Sequence, residues 1–287
     1  MPEILEATEH DIGGLTVKRM LPNMKKKMVG PFIFFDHLGP STFSEGDGID
    51  VLPHPHIGLS TLTYLFTGSI LHRDSLGNHQ EIHPGDVNWM TAGQGIVHSE
   101  RESIEVRTSQ HQINGLQCWI ALPEALETIE PSFHHIKKEQ LPQLNLDGKM
   151  IRLIVGEAYG MSSPVKTYSP MFYLDVVAPA GASIDQPQEH QETAIYLIYG
   201  QIEIQGATYE AGDFVLLEEE DSHFLCTRHT RCIVLGGKKF TKTPYIHWNF
   251  VSFSRDRIEE AKKRWKTQGF PSIPEDNQEY VALGEFK

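Results

Sequence analysis

The sequence predicts an all-β protein built from two copies of one β-module, with a single short helix near the C-terminus. Short segments rich in β-branched and aromatic residues alternate with Gly and Pro turn signals. One pattern of residues recurs at a fixed offset, and one segment has the spacing of an amphipathic helix. With 287 residues, the chain is long enough to form two domains of ordinary size.

Five segments have the composition of β-strands. Each is a run of β-branched, aromatic or aliphatic residues, and many such short runs are typical of a barrel or sandwich. The segments are Ser60–Phe66, Val87–Met90, Leu116–Leu122, Ile151–Val155 and Met171–Val177. Residues 124–150 are rich in Glu, Pro and Gln and have little apolar periodicity, which predicts a linker.

Two histidine motifs about forty residues apart carry the main functional signal. Each places two metal-binding side chains at positions i and i+2, which point to the same side of a strand. If the two strands meet, His54, His56, His98 and Glu100 converge on one point. Three imidazoles and one carboxylate suit a divalent transition ion such as iron, nickel, zinc or manganese. An octahedral ion would keep two positions open for water, oxygen or substrate.

The second half of the chain repeats the first half at an offset of 132 residues. The matched residues are His54 with Gln186, His56 with Gln188, Thr61 with Thr193 and Gly68 with Gly200. An amide is a poor ligand for a transition metal compared with neutral imidazole. We therefore expect that the second copy kept the fold and lost the ion, so that the chain binds one metal ion.

The segment that begins at Ser254 has the pattern of an amphipathic helix. Ser254 can cap its N-terminus, Ile258, Ala261 and Trp265 share one face, and Gly269 lies where it ends. The predicted domains are an N-terminal metal-binding barrel (1–123), a linker (124–150), and a C-terminal barrel without a complete metal site that includes this helix (151–287).

Composition excludes several classes of function. A net charge of -13 argues against direct binding to nucleic acid or to an anionic membrane. No segment approaches the ~18–20 apolar residues of a membrane span, and no signal peptide is recognisable. Cys118, Cys226 and Cys232 are too far apart for a CxxC motif and indicate no disulfide framework. We expect a cytoplasmic protein, which in a eukaryote could also be nuclear.

Other residues near the motifs have both a functional and a structural interpretation. His72, His79 and His83 could hydrogen-bond to the ligating imidazoles or could lie in an exposed turn. His223, with His190 nearby, could be a vestigial second site, although a structural remnant is favoured because Gln186 and Gln188 are poor ligands. Five residues are candidate walls of an apolar pocket or ordinary core residues: Trp89, Met90, Phe34, Phe35 and Tyr64.

The histidine motifs resemble those of the cupin superfamily. His54, His56 and Gly68 fit the first cupin motif, whereas Thr61 occupies the position of its usual glutamate ligand. In the pirin subfamily the carboxylate ligand comes instead from the second motif, two residues after the histidine, which here is Glu100.

The second motif and three further segments strengthen the resemblance to pirins. Gly85 and Gly93 fit the second cupin motif, Thr91 replaces its proline, and two residues are inserted before His98. The pirin-like segments are Gly30–Pro40, Pro53–Gly58, His72–Asn78 and Trp89–Glu100. The match covers most of residues 30–122, and the tail after Lys239 departs from the family pattern.

The resemblance implies a bicupin, that is, two cupin-type β-barrels, with one metal in the N-terminal barrel. The implied ligands are His54, His56, His98 and Glu100, usually to Fe(II), with nickel, zinc, manganese or copper as alternatives. Some family members oxidise flavonols such as quercetin with O2, opening the heterocycle and releasing carbon monoxide. Glu100 could then take the proton of the substrate hydroxyl as the catalytic base. Other members bind transcription factors or metabolic enzymes, with the metal's redox state as a switch.

Overall fold

The computed structural model describes residues 2–187, 192–218 and 220–284, and most of its regular structure is β-strand. The first strands are β1 Glu3–Leu5, β2 Thr8–Ile12, β3 Leu15–Leu21, β4 Phe32–Phe43, β5 Asp50–His56, β6 Leu59–Thr67, β7 Ile70–Asp74, β8 His79–Ile82, β9 Val87–Thr91, β10 Ile96–Arg101, β11 His111–Ala121 and β12 Ser132–Ile136. The later strands are β13 Gln143–Leu146, β14 Lys149–Ala158, β15 Met161–Ser162, β16 Met171–Ala178, β17 Ser183–Asp185, β18 Glu192–Tyr199, β19 Gln201–Ile204, β20 Ala207–Glu210, β21 Phe214–Leu216, β22 His223–Cys226, β23 Thr230–Gly237, β24 Tyr245–His247 and β25 Phe250–Ser252. The helices are α1 Ile104–Arg107 and α2 Arg255–Lys266, and short 3₁₀ turns span Glu124–Leu126 and Lys138–Gln140.

The chain divides into two compact units, each assembled from separate segments. The unit that we call the N-terminal barrel contains the described residues of 8–19, 34–137 and 241–287. The unit that we call the C-terminal barrel contains those of 1–7, 20–33 and 138–240.

Each barrel has one large and one small antiparallel sheet, and the strand orders of the two barrels correspond. In the N-terminal barrel the small sheet has the order β5-β10-β7-β8, and the large sheet has the order β12-β9-β6-β11-β4-β3-β2. In the C-terminal barrel the small sheet is β17-β22-β19-β20, and the large sheet is β1-β21-β18-β23-β16-β14-β13, with β15 on β14. The chain is therefore a bicupin, as predicted.

The five predicted strands are present, and each falls within or overlaps one observed strand: β6, β9, β11, β14 and β16. Side chains from both sheets fill the core of the C-terminal barrel, including Phe172, Leu174, Ile195, Ile202 and Phe224. Burial of these apolar groups is the main stabilising contribution to such a barrel.

The predicted C-terminal helix is present as α2, and the Ser254 hydroxyl accepts a hydrogen bond from the Arg257 N–H at its start. Ile258 and Ala261 are buried, in agreement with the predicted apolar face. These residues pack in the N-terminal barrel, whereas the predicted ranges placed the helix with residues 151–287. Within the described residues, no helix has the length and apolar composition needed to cross a membrane.

Residues 124–150 contain regular structure, although their composition predicts a linker. Strand β12 pairs with β9 at the edge of the large sheet of the N-terminal barrel. Strand β13 pairs with β14 in the C-terminal barrel, and all four of its residues are exposed. Edge strands bury few side chains and need little apolar periodicity, which explains why composition did not indicate them.

Candidate metal centre

Strands β5 and β10 bring the two histidine motifs together. They pair antiparallel, with His98 opposite His54 and Ile96 opposite His56. Ring centroids of His54 and His98 are 4.3 Å apart, and His56 lies 5.0 Å from each of them. One ring nitrogen from each histidine lies within 4.8 Å of the others. The predicted convergence of the three imidazoles is therefore present.

All three histidines are buried, with exposed fractions of 5% for His54 and 1% each for His56 and His98. Burial lowers the pKa of His54 to about 4, although its hydrogen bond to the Leu52 carbonyl acts in the opposite direction. Burial and the neighbouring imidazoles place the pKa values of His56 and His98 well below the usual value. Neutral imidazole is the form that binds a metal ion.

Backbone carbonyls orient two of the three rings. The Nδ1 atom of His54 lies 2.8 Å from the Leu52 carbonyl oxygen, and the Nδ1 atom of His56 lies 3.2 Å from that of Asn249. Because a carbonyl oxygen only accepts, each Nδ1 carries the hydrogen and donates, and each Nε2 presents a lone pair. This arrangement is typical of metal-ligating histidines.

His98 provides the strongest indication that these residues suit a metal ion. Both of its ring nitrogens are buried and have no hydrogen-bond partner among the described residues. A buried polar atom without a partner costs free energy, so such atoms are rare in folded proteins. A divalent ion held by the three imidazoles would satisfy one nitrogen of His98, and the donor set therefore fits such an ion.

Glu100 lies outside the three-histidine group. Its strand, β10, pairs with β7 in continuous register from His98 to Arg101, and the register shift between His98 and Glu100 lies in the pairing with β5, where Glu100 is opposite Val51. The Glu100 Oε1 atom accepts hydrogen bonds from Gln117 Nε2 at 3.2 Å and from Thr63 Oγ1 at 3.3 Å. Burial raises the pKa of Glu100, although these bonds and the charge of His72 oppose the shift. Its role as a fourth ligand stays a prediction.

Of the three weaker histidine candidates, His72 is buried beside the centre, whereas His79 and His83 are exposed. Its ring lies 5.4 Å from that of His98 and stacks on Phe133 at 4.3 Å. His72 Nε2 lies 3.0 Å from the Asp74 carboxylate. Sequence reasoning missed this pair, although His72 and Asp74 have the same i, i+2 spacing as the ligand motifs.

An aromatic stack lies against His56. The Phe34 ring stacks on Trp119 with centroids 4.0 Å apart, and Trp119 meets His56 edge to face at 5.0 Å. Phe34 is one of the predicted pocket walls, whereas the sequence pattern indicates Trp119 only as a residue of a strand. The other predicted walls are buried, namely Phe35, Tyr64, Trp89 and Met90. Their contact with a substrate stays a prediction.

The corresponding positions of the C-terminal barrel differ in their contacts. The side-chain amide of Gln186 donates to the Thr193 hydroxyl at 2.7 Å. His223 is exposed, and its Nδ1 lies 3.2 Å from the Ser222 hydroxyl. Gln188 and His190 lie outside the described residues.

The lowered histidine pKa values predict how the stability of the metal-free protein depends on pH. A folded state that keeps three histidines neutral binds fewer protons than the unfolded chain, whose histidines titrate near pH 6.5. The free energy of unfolding should be highest above pH 6.5 and should fall as the pH decreases towards about 4. Urea unfolding at several pH values measures this. His98→Gln should weaken the pH dependence, and a stability that rose on acidification would contradict the assignment.

Two cupin-type barrels, one with a buried three-histidine centre, define a bicupin with a site for a divalent metal ion. Two family descriptions match the chain: Pirin over residues 14–120 and Pirin C-terminal cupin domain over residues 173–271. The chain belongs to the pirin family.

Relatives match nearly the whole chain. A pirin-like protein of Caulobacter vibrioides is 44% identical over 287 residues, covering 98% of this chain and 99% of that protein. Pirin of Rattus norvegicus is 32% identical over 275 residues, covering 90% and 88%. The crystal structure of quercetin 2,3-dioxygenase from Acinetobacter baumannii has a TM-score of 0.89 and 33% identity, covering 98% of this chain and 94% of that chain.

Proposed function

We propose that this protein is a metal-dependent dioxygenase that acts on flavonol-type substrates with O2. The observation that carries the proposal is the buried group of His54, His56 and His98, in which both ring nitrogens of His98 have no partner in the described part of the chain. The similarity to the quercetin 2,3-dioxygenase from Acinetobacter baumannii supports the choice of substrate class.

Iron(II) is the proposed native metal, with nickel, zinc, manganese and copper as alternatives. Imidazole and carboxylate ligands suit all of these ions, so the donor set alone does not choose among them. When bound, the ion would act as a Lewis acid on the substrate hydroxyl oxygen and lower its pKa. His54 and His56 would present Nε2 to the ion, because their Nδ1 atoms donate to backbone carbonyls.

Glu100 is the proposed proton acceptor. It lies next to the histidine centre in sequence, and its carboxylate takes hydrogen bonds from Gln117 and Thr63, which orient it. A carboxyl group whose pKa is raised by burial is a stronger base than an ordinary surface carboxylate. It would take the proton of the flavonol 3-hydroxyl group and leave an electron-rich flavonolate to react with O2.

The variant Glu100→Gln tests this role. The amide cannot accept the hydroxyl proton, whereas the three imidazoles remain, so we expect metal to be retained and quercetin-dependent O2 uptake to fall by about 100-fold or more. The uptake is measured with an oxygen electrode, and metal content is measured on the same samples. Glu105→Gln, at an exposed position in α1, is the matched control and should retain full uptake. Metal-loaded Glu100→Gln with unchanged quercetin consumption would contradict the mechanism.

A further inference from the structure

The C-terminal segment, which we define as residues 245–284, contacts the backbone of the strand that carries His54 and His56. The Val251 N–H donates to the Ile57 carbonyl at 3.2 Å, and the Val281 N–H donates to the Pro53 carbonyl at 2.9 Å. The two accepting residues, Pro53 and Ile57, lie on either side of His54 and His56 in the sequence.

The backbone of the same segment also lies close to the turn that follows His56. Gly58 has a positive φ of 68°, and a side chain at this position would overlap the Val251 carbonyl group. Glycine is therefore required both for the left-handed conformation and for the close approach of the two backbones. The Asn249 carbonyl, which accepts from His56 Nδ1, comes from this same part of the segment.

An apolar cluster fixes the C-terminal segment to both ligand strands. Ile57 follows His56, Val97 precedes His98, and both pack among buried side chains of the segment. The segment contributes Phe250, Ile258, Ala261, Phe270 and Ile273 to this cluster. Neighbouring residues of a strand alternate between its two faces, so Val97 can pack on the segment while His98 faces the centre.

A buried carboxylate of the segment, that of Asp276, accepts hydrogen bonds from β10. Asp276 Oδ2 accepts hydrogen bonds from the Ser99 hydroxyl at 2.7 Å and from Arg101 Nε at 3.1 Å. Asp276 Oδ1 accepts from Arg101 Nη2 at 3.0 Å. Ser99 lies between His98 and Glu100, where the pairing of β5 and β10 shifts register. The carboxylate therefore bonds to β10 on both sides of Glu100, at Ser99 and at Arg101.

We propose that the C-terminal segment is part of the metal centre, and that Asp276 is a positioning residue that sets where His98 and Glu100 lie. The metal-binding half of this proposal rests on the function proposed above. Strand β10 pairs in continuous register with β7 from His98 to Arg101, whereas its pairing with β5 shifts register between His98 and Glu100. The bonds from Ser99 and Arg101 to Asp276 add a constraint on this part of β10, one on each side of Glu100.

Cobalt(II) binding tests the effect on the metal centre. Metal-free wild-type protein and Asp276→Asn are titrated with Co²⁺, whose visible spectrum reports its coordination. Loss of a residue that supports metal ligands typically weakens affinity by 10–100-fold, so we expect about that loss together with a changed spectrum. Ser99→Ala should act in the same direction, and the double variant should be less than additive because the two residues share one hydrogen bond. Glu279→Gln is the matched control, because Glu279 is exposed and lies 3.7 Å from the same Arg101.

Amide hydrogen exchange tests the positioning role without any metal. In the metal-free Asp276→Asn variant, we expect the amides of 96–101 to exchange about tenfold faster, the change expected for a weakened hydrogen bond to a charged group. Equal exchange in the wild-type and Asp276→Asn proteins would contradict the positioning role, and a Co²⁺ affinity and spectrum of Asp276→Asn like those of Glu279→Gln would contradict its effect on the metal centre. Wild-type protein that bound no Co²⁺ would contradict both the proposed function and the metal-binding half of this proposal. Wild-type protein that bound Co²⁺, with neither exchange nor binding changed in Asp276→Asn, would contradict this proposal and leave the proposed function standing.

Discussion

Replacing His98 with alanine is expected to remove the bound metal and, with it, quercetin-dependent O2 uptake. His98 is the histidine whose ring nitrogens are buried without a partner in the described residues, so a metal ion is the group that best satisfies it. Changes to residues that merely support a ligand already cost 10–100-fold in affinity, so loss of the ligand itself should cost more than about 100-fold. Metal content after dialysis and O2 uptake on the same sample measure both effects.

The control for this variant lies in the other barrel. His223→Ala removes an exposed histidine on β22, which corresponds by strand order to β10. It should leave metal content and uptake unchanged. A His98→Ala protein that kept a full equivalent of metal would show that the ion is held elsewhere.

Replacing Phe250 with alanine is expected to lower the free energy of unfolding by about 3–5 kcal/mol, the usual cost of truncating a buried phenylalanine. Phe250 has no exposed surface, and its ring stacks on Phe270 with centroids 6.2 Å apart. Its backbone also bridges to Ile57, next to His56. The substitution should therefore weaken Co²⁺ binding as well as stability, and urea unfolding with Co²⁺ titration measures the two effects.

Tyr245→Ala is the matched control for Phe250→Ala. Tyr245 belongs to the same segment but is 43% exposed. The guanidinium carbon of Arg255 lies over its ring, 4.7 Å from the ring centroid. A cation–π contact at an exposed site is worth about 0.5–1 kcal/mol, so this variant should lose no more than about that amount. If Phe250→Ala lowered the free energy of unfolding by as little as Tyr245→Ala does, the apolar cluster would contribute little to stabilising the ligand strands.

Local patterns in the sequence predicted the strands and the three-histidine group. Alternating side chains placed His54 and His56 on one face of a strand, and pairing of two such strands is what brings His98 to them. The same i, i+2 spacing predicted that Glu100 would join this group, but the side chains whose ligand atoms lie within 4.8 Å of one another are His54, His56 and His98. The Glu100 carboxylate is hydrogen-bonded by Gln117 and Thr63, contacts that a local pattern on β10 does not indicate.

The packing of the C-terminal helix shows a second limit of sequence patterns. The spacing of Ile258 and Ala261 predicted which face of the helix is buried, and both residues are buried. An amphipathic pattern does not indicate which surface packs against the apolar face of the helix. Proximity in the sequence suggests the C-terminal barrel. The cluster in which both residues pack includes Ile57 and Val97, about 200 and 160 residues away in the chain.

The most direct test of the central claim is an anaerobic metal assay by mass spectrometry, followed by O2 uptake with quercetin on the same purified protein. We expect one equivalent of a divalent transition metal per chain, with iron as the proposed ion, and uptake that disappears when the metal is removed and returns when it is restored. One equivalent of metal without any uptake would contradict the flavonol dioxygenase. Protein that bound no stoichiometric metal while His54, His56 and His98 were intact would contradict the metal centre itself.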